Sequence, residues 1–124
     1  MEGYGIVYLT NGSIYHGEFK NNTSNGFGIY YEKNKYYYIG QHKDGNSDGY
    51  GIMNDLKLEE IIKEEFKNGF LQGYGIKYLP NGDIIEGYCE YNYPNGIVFL
   101  YRPNGERYIK YYETGEEIFC EKIE

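Results

Sequence analysis

The chain has 124 residues, enough for one domain, and its formal net charge at pH 7 is -7. This acidity argues against nucleic acid and anionic lipid as partners, because both select basic surfaces, and it favours solubility or a basic protein partner. The 18 glycines, 18 tyrosines, 3 prolines and absent tryptophan predict an all-β fold, because tyrosine favours strands and glycine favours turns.

The first residues do not resemble a targeting segment, since Met1 is followed by Glu2 and then by a glycine motif. No apolar run approaches the roughly 20 residues that span a bilayer. We therefore expect a soluble, cytoplasmic protein with reduced thiols. The two cysteines, Cys89 and Cys120, have no zinc-type spacing, and the sequence leaves open whether they form one disulfide.

A Gly-aromatic-Gly triplet recurs through the chain. It begins at Gly3, Gly26, Gly49 and Gly73, so successive copies are 23, 23 and 24 residues apart. A further step of 23 reaches Gly96, where the copy is degraded to Gly-Ile-Val. This period predicts repeats over 1–112, followed by a separate tail over 113–124. The predicted units lie near 3–25, 26–48, 49–72, 73–95 and 96–112.

Three of the five units contain an Asn-Gly turn signal that predicts a β-hairpin, and the equivalent positions of the second and third units, Asn34-Lys35 and Lys57-Leu58, give a weaker signal. Asn11-Gly12, Asn81-Gly82 and Asn104-Gly105 occupy equivalent positions, and Asn-Gly is typical of two-residue type I′ turns. With Asn11-Gly12 as the whole loop, Tyr8 faces Tyr15. The same register places Lys77 opposite Glu86. Side chains alternate along a strand, so each hairpin then has one large apolar face. That face carries Tyr4, Ile6, Tyr8, Tyr15, Gly17 and Phe19 in the first unit, Tyr74, Ile76, Tyr78, Ile85, Gly87 and Cys89 in the fourth, and Ile97, Phe99, Tyr101, Tyr108, Lys110 and Tyr112 in the fifth.

Stacking of these hairpins predicts one continuous aromatic face as a candidate binding surface for a partner. Glycines on the same face would leave room for an aromatic ring to lie across the backbone. The candidate partner-binding residues are Tyr4, Tyr8, Tyr15, Phe19, Phe27, Tyr31, Tyr38, Tyr50, Tyr74, Tyr78, Phe99, Tyr101 and Tyr108. The structural glycines are Gly5, Gly17, Gly28, Gly40, Gly51, Gly75 and Gly87.

Two segments depart from the pattern. In the third unit Glu64 replaces the repeated glycine, with one inserted residue, and 55–66 has apolar residues at helical spacing behind a possible Asp55 N-cap. Strand is the favoured prediction there, because both neighbouring units need an edge to pair with. After a short turn at Thr114-Gly115, the charged tail predicts a closing strand that protects the sheet edge.

The segments Tyr15-His16-Gly17-Glu18-Phe19 and Gly26-Phe27-Gly28-Ile29-Tyr30 resemble the MORN motif, and the resemblance covers about 110 residues. It implies an elongated, twisted, single-layer antiparallel sheet. It also implies a role as a scaffold, as a partner-binding arm of a larger enzyme, or as a dimerisation module. The segment Tyr101-Arg102-Pro103-Asn104-Gly105-Glu106 of the last unit is similar to bacterial relatives described as antitoxins.

No residues assemble into a catalytic or metal site in this register. His16 and His42 fall on opposite faces, and Cys89 fills space on the aromatic face. The glycine triplets are not phosphate loops, because no helix or lysine follows them, and the acidic clusters lack the alternating ligands of a calcium loop. We therefore expect no enzyme activity, no cofactor and no metal.

The sequence hypothesis is a non-catalytic interaction or scaffold module. It would bind a protein or peptide partner, or a second copy of itself, through the aromatic face. One alternative is a toxin-neutralising, immunity or effector-type binding protein. Another is membrane recruitment, which the negative charge disfavours.

Overall fold

A computed structural model of the chain describes residues 2–123. Over these residues the chain forms one antiparallel sheet of eleven strands, which follow one another in chain order, and no helix. The strands are β1 (Gly3–Tyr8), β2 (Ile14–Lys20), β3 (Thr23–Glu32), β4 (Tyr36–Lys43), β5 (Asn46–Asp55), β6 (Glu60–Lys67), β7 (Phe70–Tyr78), β8 (Ile84–Glu90), β9 (Tyr93–Tyr101), β10 (Arg107–Glu113) and β11 (Glu116–Ile123). The predicted all-β, single-layer meander of hairpin repeats is confirmed.

The turns within the Asn-Gly units have three loop residues. The Leu9 N–H donates to the Ser13 carbonyl at 2.8 Å, and the Gly12 N–H donates to the Leu9 carbonyl at 3.1 Å. Gly12 has a φ of 89°, as a type I turn followed by a left-handed bulge residue requires. The Asn11 side chain also stabilises the loop, because its Oδ1 atom accepts a hydrogen bond from the Ser13 N–H at 2.9 Å. The loops 79–83 and 102–106 have the same backbone hydrogen bonds.

Two-residue turns of the type I′ kind occur between the units instead. Both residues of each turn have positive φ, as this turn type demands. These turns are Asn21-Asn22, Asp44-Gly45, Asn68-Gly69, Tyr91-Asn92 and Thr114-Gly115.

The predicted register is therefore wrong by one residue. Val7, not Tyr8, pairs with Tyr15. Lys77 pairs with Ile85, not with Glu86. A shift of one residue moves every side chain of one strand to the opposite face. The three groups of residues that the sequence placed together are consequently divided between the two sides of the sheet in units one, four and five.

The third unit is a strand hairpin, as favoured over a helix. A four-residue loop at 56–59 joins β5 to β6, and Glu59 adopts a φ of 57° within it. This longer loop accommodates the inserted residue. Glu64 therefore stays in line with the repeated glycines and pairs with Gly51 on one side and Gly75 on the other.

The side of the sheet that carries the second glycine of each triplet is called the glycine face. It bears Gly5, Val7, Tyr15, Gly17, Phe19, Gly28, Tyr30, Tyr36, Tyr38, Gly40, His42, Gly51, Met53, Ile62, Glu64, Phe66, Leu71, Gly75, Lys77, Ile85, Gly87, Cys89, Val98, Leu100, Tyr108, Lys110 and Tyr112. The most buried side chains of the fold lie here, among them Tyr38 at 2 % exposure and Phe66 at 3 %. The core of this single layer is thus one face of the sheet, packed on itself.

The last strand closes the sheet as predicted. It pairs with β10 across a bulge between Tyr111 and Tyr112, and it carries Glu116, Glu117, Glu121 and Lys122. The part of the chain that the structure describes has no helix that is long and apolar enough to cross a membrane.

Candidate interaction surface

The opposite side of the sheet, called the exposed face, consists of three parallel rows that run across all eleven strands. The first row is Tyr4, Glu18, Phe27, Gln41, Tyr50, Glu65, Tyr74, Tyr88, Ile97, Tyr111 and Phe119. The central row is Ile6, His16, Ile29, Ile39, Ile52, Lys63, Ile76, Glu86, Phe99, Ile109 and Glu121. The third row is Tyr8, Ile14, Tyr31, Tyr37, Asn54, Ile61, Tyr78, Ile84, Tyr101, Arg107 and Ile123.

This face leaves large apolar side chains open to solvent. Tyr4 and Tyr8 are each 74 % exposed, and Ile29 in the central row is 39 % exposed. Across β1 to β5 the three rows carry one formal charge, Glu18. That carboxylate is engaged, because the Phe27 N–H donates to Glu18 Oε2 at 2.6 Å. The surface therefore offers an extended aromatic and aliphatic area with few competing charges.

The predicted aromatic surface is divided between the two faces. Nine of its residues lie on the exposed face: Tyr4, Tyr8, Phe27, Tyr31, Tyr50, Tyr74, Tyr78, Phe99 and Tyr101. Tyr15, Phe19, Tyr38 and Tyr108 lie on the glycine face. The prediction of one shared face is wrong, and its cause is the one-residue error in loop length.

The predicted partner-binding residues also omit the central isoleucines of the exposed face, although Ile6 and Ile76 were assigned to the predicted apolar faces of their units. Ile6, Ile29, Ile52 and Ile76 each follow the second glycine of a triplet. Side chains alternate along a strand, so a residue next to a glycine that lies under a ring must point to the other side. The recurring Gly-Ile pair was therefore the available signal for this row.

On the glycine face, aromatic rings form a continuous ladder in edge-to-face contact. Tyr15 packs against Phe19 at 5.1 Å and His42 at 5.0 Å between ring centroids, and Tyr38 packs against His42 at 5.1 Å and Phe66 at 5.0 Å. The tyrosine hydroxyls are anchored too: Tyr15 donates to the Glu18 carbonyl at 3.0 Å and Tyr38 to the Gln41 carbonyl at 2.9 Å. Edge-to-face geometry is the favoured one for such rings, so the ladder contributes packing energy beyond area alone.

The repeated glycines make room for these rings, as predicted for Gly17 and Gly40. A Cβ on Gly17 would lie 2.8 Å from the Tyr15 hydroxyl, and a Cβ on Gly40 would lie 2.7 Å from the Tyr38 hydroxyl. Gly28 and Gly51 lie beneath the same two rings. Gly87 differs, since its near side chain is Val98 and not a ring.

The histidines lie on opposite faces, as predicted. His16 is exposed, whereas His42 is 8 % exposed between the Tyr15 and Tyr38 rings. Burial lowers the pKa of His42, so its ring is neutral at neutral pH. Within the described part of the chain no three histidine, cysteine or acidic side chains gather as a metal site.

Two of the concavities in the described part of the chain open on the glycine face. The larger has a volume of about 520 Å³ and is lined by Val7, Leu9, Tyr15, Phe19, Asn22, Ser24, Tyr30, Tyr36, Tyr38, His42, Gly45, Asn46, Ser47, Met53 and Gly69, none of which carries a formal charge at neutral pH. The smaller has a volume of about 130 Å³ and lies at the third unit, where Glu64 and Cys89 line it. Both cysteines are free thiols in the structure.

An open sheet of stacked hairpins, each contacting its sequence neighbours, defines the chain as a β-repeat protein of the solenoid-like class. The family model for the MORN repeat matches residues 15–34, 65–84 and 83–98. These matches at three positions support a MORN-repeat protein. No curated protein matches it significantly. MORN repeats are in general non-catalytic modules of protein or membrane interaction.

Proposed function

We propose that this protein is a non-catalytic scaffold or adaptor that binds a protein partner through the exposed face. The observation that carries the proposal is the composition of that face, where tyrosine, phenylalanine and isoleucine fill most positions of three rows. A folded protein rarely leaves a continuous apolar area of this extent open to solvent unless it serves binding. Tyrosine is also among the residues that contribute most to protein interfaces.

The dimensions of the face suit a stable interface. Ten strand intervals of about 4.8 Å give a length of about 48 Å, and three rows about 7 Å apart give a width of roughly 20 Å. The resulting area is on the order of 900 Å², close to the roughly 800 Å² that each partner contributes to a standard interface. A protein surface can therefore cover most of this face at once.

The negative charge of the protein distinguishes between a protein partner and an anionic membrane. The net charge is -7, and the face itself carries Lys63 and Arg107 against Glu18, Glu65, Glu86 and Glu121. An anionic membrane would be repelled, so a protein is the favoured partner and membrane recruitment the less favoured alternative. A toxin would be a special case of the same binding mode, and a second copy of the chain another.

Affinity capture with matched variants tests the proposal. A triple variant, Tyr8→Ala, Tyr31→Ala and Tyr78→Ala, removes three tyrosines from the third row of the face. The control is Tyr91→Asn, which removes a tyrosine that is 64 % exposed in a turn, at a φ of 50° that asparagine tolerates. We expect the triple variant to lose the partners that the wild type and the control retain.

Circular dichroism first establishes that all three proteins are folded. Equal capture by the triple variant and the wild type would refute the exposed face as the binding surface. Light scattering over a concentration series measures self-association, and vesicle pelleting with and without anionic lipid measures membrane binding. Lipid-dependent pelleting that the triple variant abolishes would replace the protein partner with a membrane.

A further inference from the structure

The third unit breaks the ring-over-glycine pattern of the first two units. In the first two units a tyrosine precedes the repeated glycine by two residues and covers it, as Tyr38 does at Gly40. In the third unit Ile62 stands at the tyrosine position and Glu64 at the glycine position. The Glu64 carboxyl group therefore lies over Gly75, whereas in the first two units a phenol ring lies over the equivalent glycines, Gly28 and Gly51.

A carboxyl group in this place is buried and incompletely bonded. Glu64 is 4 % exposed, and its Oε1 atom has no hydrogen-bond partner among residues 2–123. The Cys89 thiol donates a hydrogen bond to the carboxylate. The ammonium group of Lys77 lies 3.7 Å from the Glu60 carboxylate. An unsatisfied buried carboxylate is costly, so it marks a position where a bound donor would be stabilised.

The 130 Å³ cavity beside Glu64 limits what such a donor can be. Its lining includes the aliphatic side chains of Ile62, Leu71, Ile85 and Val98, together with Lys77 and Asn92. An apolar protein cavity of about 150 Å³ accommodates benzene, which has six heavy atoms. The space therefore suits a ligand of about five heavy atoms with one positive end and a short aliphatic body.

We propose that this cavity is a binding site for a short primary alkylammonium ion, whose ammonium group donates to Glu64 Oε1 while its alkyl chain contacts the aliphatic wall. The site is on the glycine face, so it is a second site, independent of the partner-binding surface. If the experiment below shows that no amine binds, the proposed partner-binding function still stands. If the exposed face binds no partner, the proposed amine site still stands.

The pH dependence of binding follows from the groups around Glu64. Burial raises the pKa of Glu64 to about 7, and it raises the pKa of Cys89 to about 11, so the thiol stays protonated. Lys77 faces the carboxyl group from β7, and Glu65 neighbours it on β6. Tyr112 of β10 also lines the cavity from the glycine face. The ionised fraction of Glu64 is about tenfold larger at pH 8 than at pH 6, and a cation requires that form.

The test uses n-butylamine hydrochloride, which has five heavy atoms, with n-butanol as its neutral counterpart. Saturation-transfer NMR and calorimetry measure binding to the full chain at pH 6 and pH 8. We expect butylamine to bind about tenfold more tightly at pH 8 and butanol not to bind. Equal binding of butanol, pH-independent binding, or no binding of the amine at millimolar concentration would overturn the proposal.

Two isosteric variants locate the site. Glu64→Gln removes the buried charge and should abolish amine binding. Glu65→Gln removes the neighbouring carboxylate on the exposed face and should preserve it. Equal losses in both variants would show that the acidic surface attracts the amine without a defined site, and retention by E64Q would refute the role of Glu64. If E64Q does not fold, the pH dependence of binding to the wild type and the comparison with butanol still decide whether the amine binds through a buried carboxylate.

Discussion

Substitution of Gly28 by alanine tests the ring-over-glycine packing that holds the core together. A Cβ at this position would overlap the Tyr15 hydroxyl and lie 2.6 Å from Cζ of the same ring. The ring has little room to move, because Tyr15 is 6 % exposed and packs edge-on against Phe19 and His42.

The expected cost can be bounded from two outcomes. If the ring shifts within the core, overpacking costs about 1–3 kcal/mol. If the ring leaves the core, the protein loses about 1.5–3 kcal/mol of burial and about 1 kcal/mol for the hydrogen bond to the Glu18 carbonyl. The protein adopts whichever of these two responses costs less free energy, so we expect Gly28→Ala to destabilise the fold by about 2 kcal/mol. This corresponds to a fall in melting temperature of roughly 5–10 °C.

A double-mutant cycle identifies the ring as the cause. Ile62 and Ile85 occupy the position of Tyr15 in later units, so Tyr15→Ile is a substitution that the fold already contains. In that background Gly28→Ala should cost less than about 0.5 kcal/mol, because the overlapping atoms are gone. Gly17→Ala should keep its cost there, since its Cβ would lie 2.5 Å from the Gly28 Cα and not chiefly against the ring.

Thermal and urea denaturation followed by circular dichroism measure the four proteins of the cycle. The wild type must first show one cooperative transition, because repeat proteins can unfold in parts. If Gly28→Ala costs as much in the Tyr15→Ile background as in the wild type, the ring is not what the glycine accommodates, and the packing argument is wrong.

Two further predictions concern the third unit and the thiols. In the folded protein the pKa of Glu64 is about 7, above its ordinary value of 4.5, so the folded state binds a proton that the unfolded state has lost between these two pH values. The free energy of unfolding should therefore fall as pH rises from 4.5 to 7, on the order of 3 kcal/mol in total. Melting temperatures from pH 4.5 to 8 should show this fall in the wild type, and a fall of equal size in Glu64→Gln would contradict it. Cys120 is exposed, whereas Cys89 is half-buried and its pKa is raised to about 11, so a thiol reagent at pH 8 should label Cys120 rapidly and Cys89 slowly. The Cys120→Ser variant should lose the fast phase of labelling. If the fast phase persists in this variant, Cys89 is the rapidly labelled thiol and the prediction is wrong.

The architecture could be predicted from the sequence because its signals are local and repeated. The triplet period fixes the number of hairpins, and the period continues through 55–66, which outweighs the helical spacing of apolar residues there. The packing of rings over Gly17 and Gly40 follows from side-chain size alone. These inferences need no knowledge of loop geometry, and the structure agrees with them.

The candidate surface could not be predicted in the same way, because it depends on loop length to within one residue. Asn-Gly fits a two-residue type I′ turn, and it also fits the last two positions of a three-residue loop with a left-handed glycine. The sequence near Asn11 satisfies both. The choice between them moves Tyr4 and Tyr8 from one face to the other, so a small ambiguity in a turn became a large error in the binding surface.

Two single-residue deletions in the fourth unit separate loop length from register. Deleting Pro80 would leave Asn81-Gly82 as a two-residue loop between Leu79 and Asp83, whose backbone pairing at 2.9 Å could persist. The pairs of β7 and β8 would then stay as they are, so we expect a change in stability of about 1 kcal/mol or less, or a melting temperature within roughly 5 °C of the wild type.

Deleting Tyr78 also removes one residue, but it does so inside β7. With the loop retained, the preceding part of the strand moves by one position, and Tyr74 is brought to the crowded glycine face beside Glu64 and Gly87. A large aromatic residue cannot replace a buried glycine there without expelling its neighbours, so we expect this variant to lose its cooperative transition. Similar melting temperatures for the two deletions would show that the strands can slide freely. The definition of the exposed face by register would then fail, because a sheet that tolerates sliding does not fix which side chains it presents.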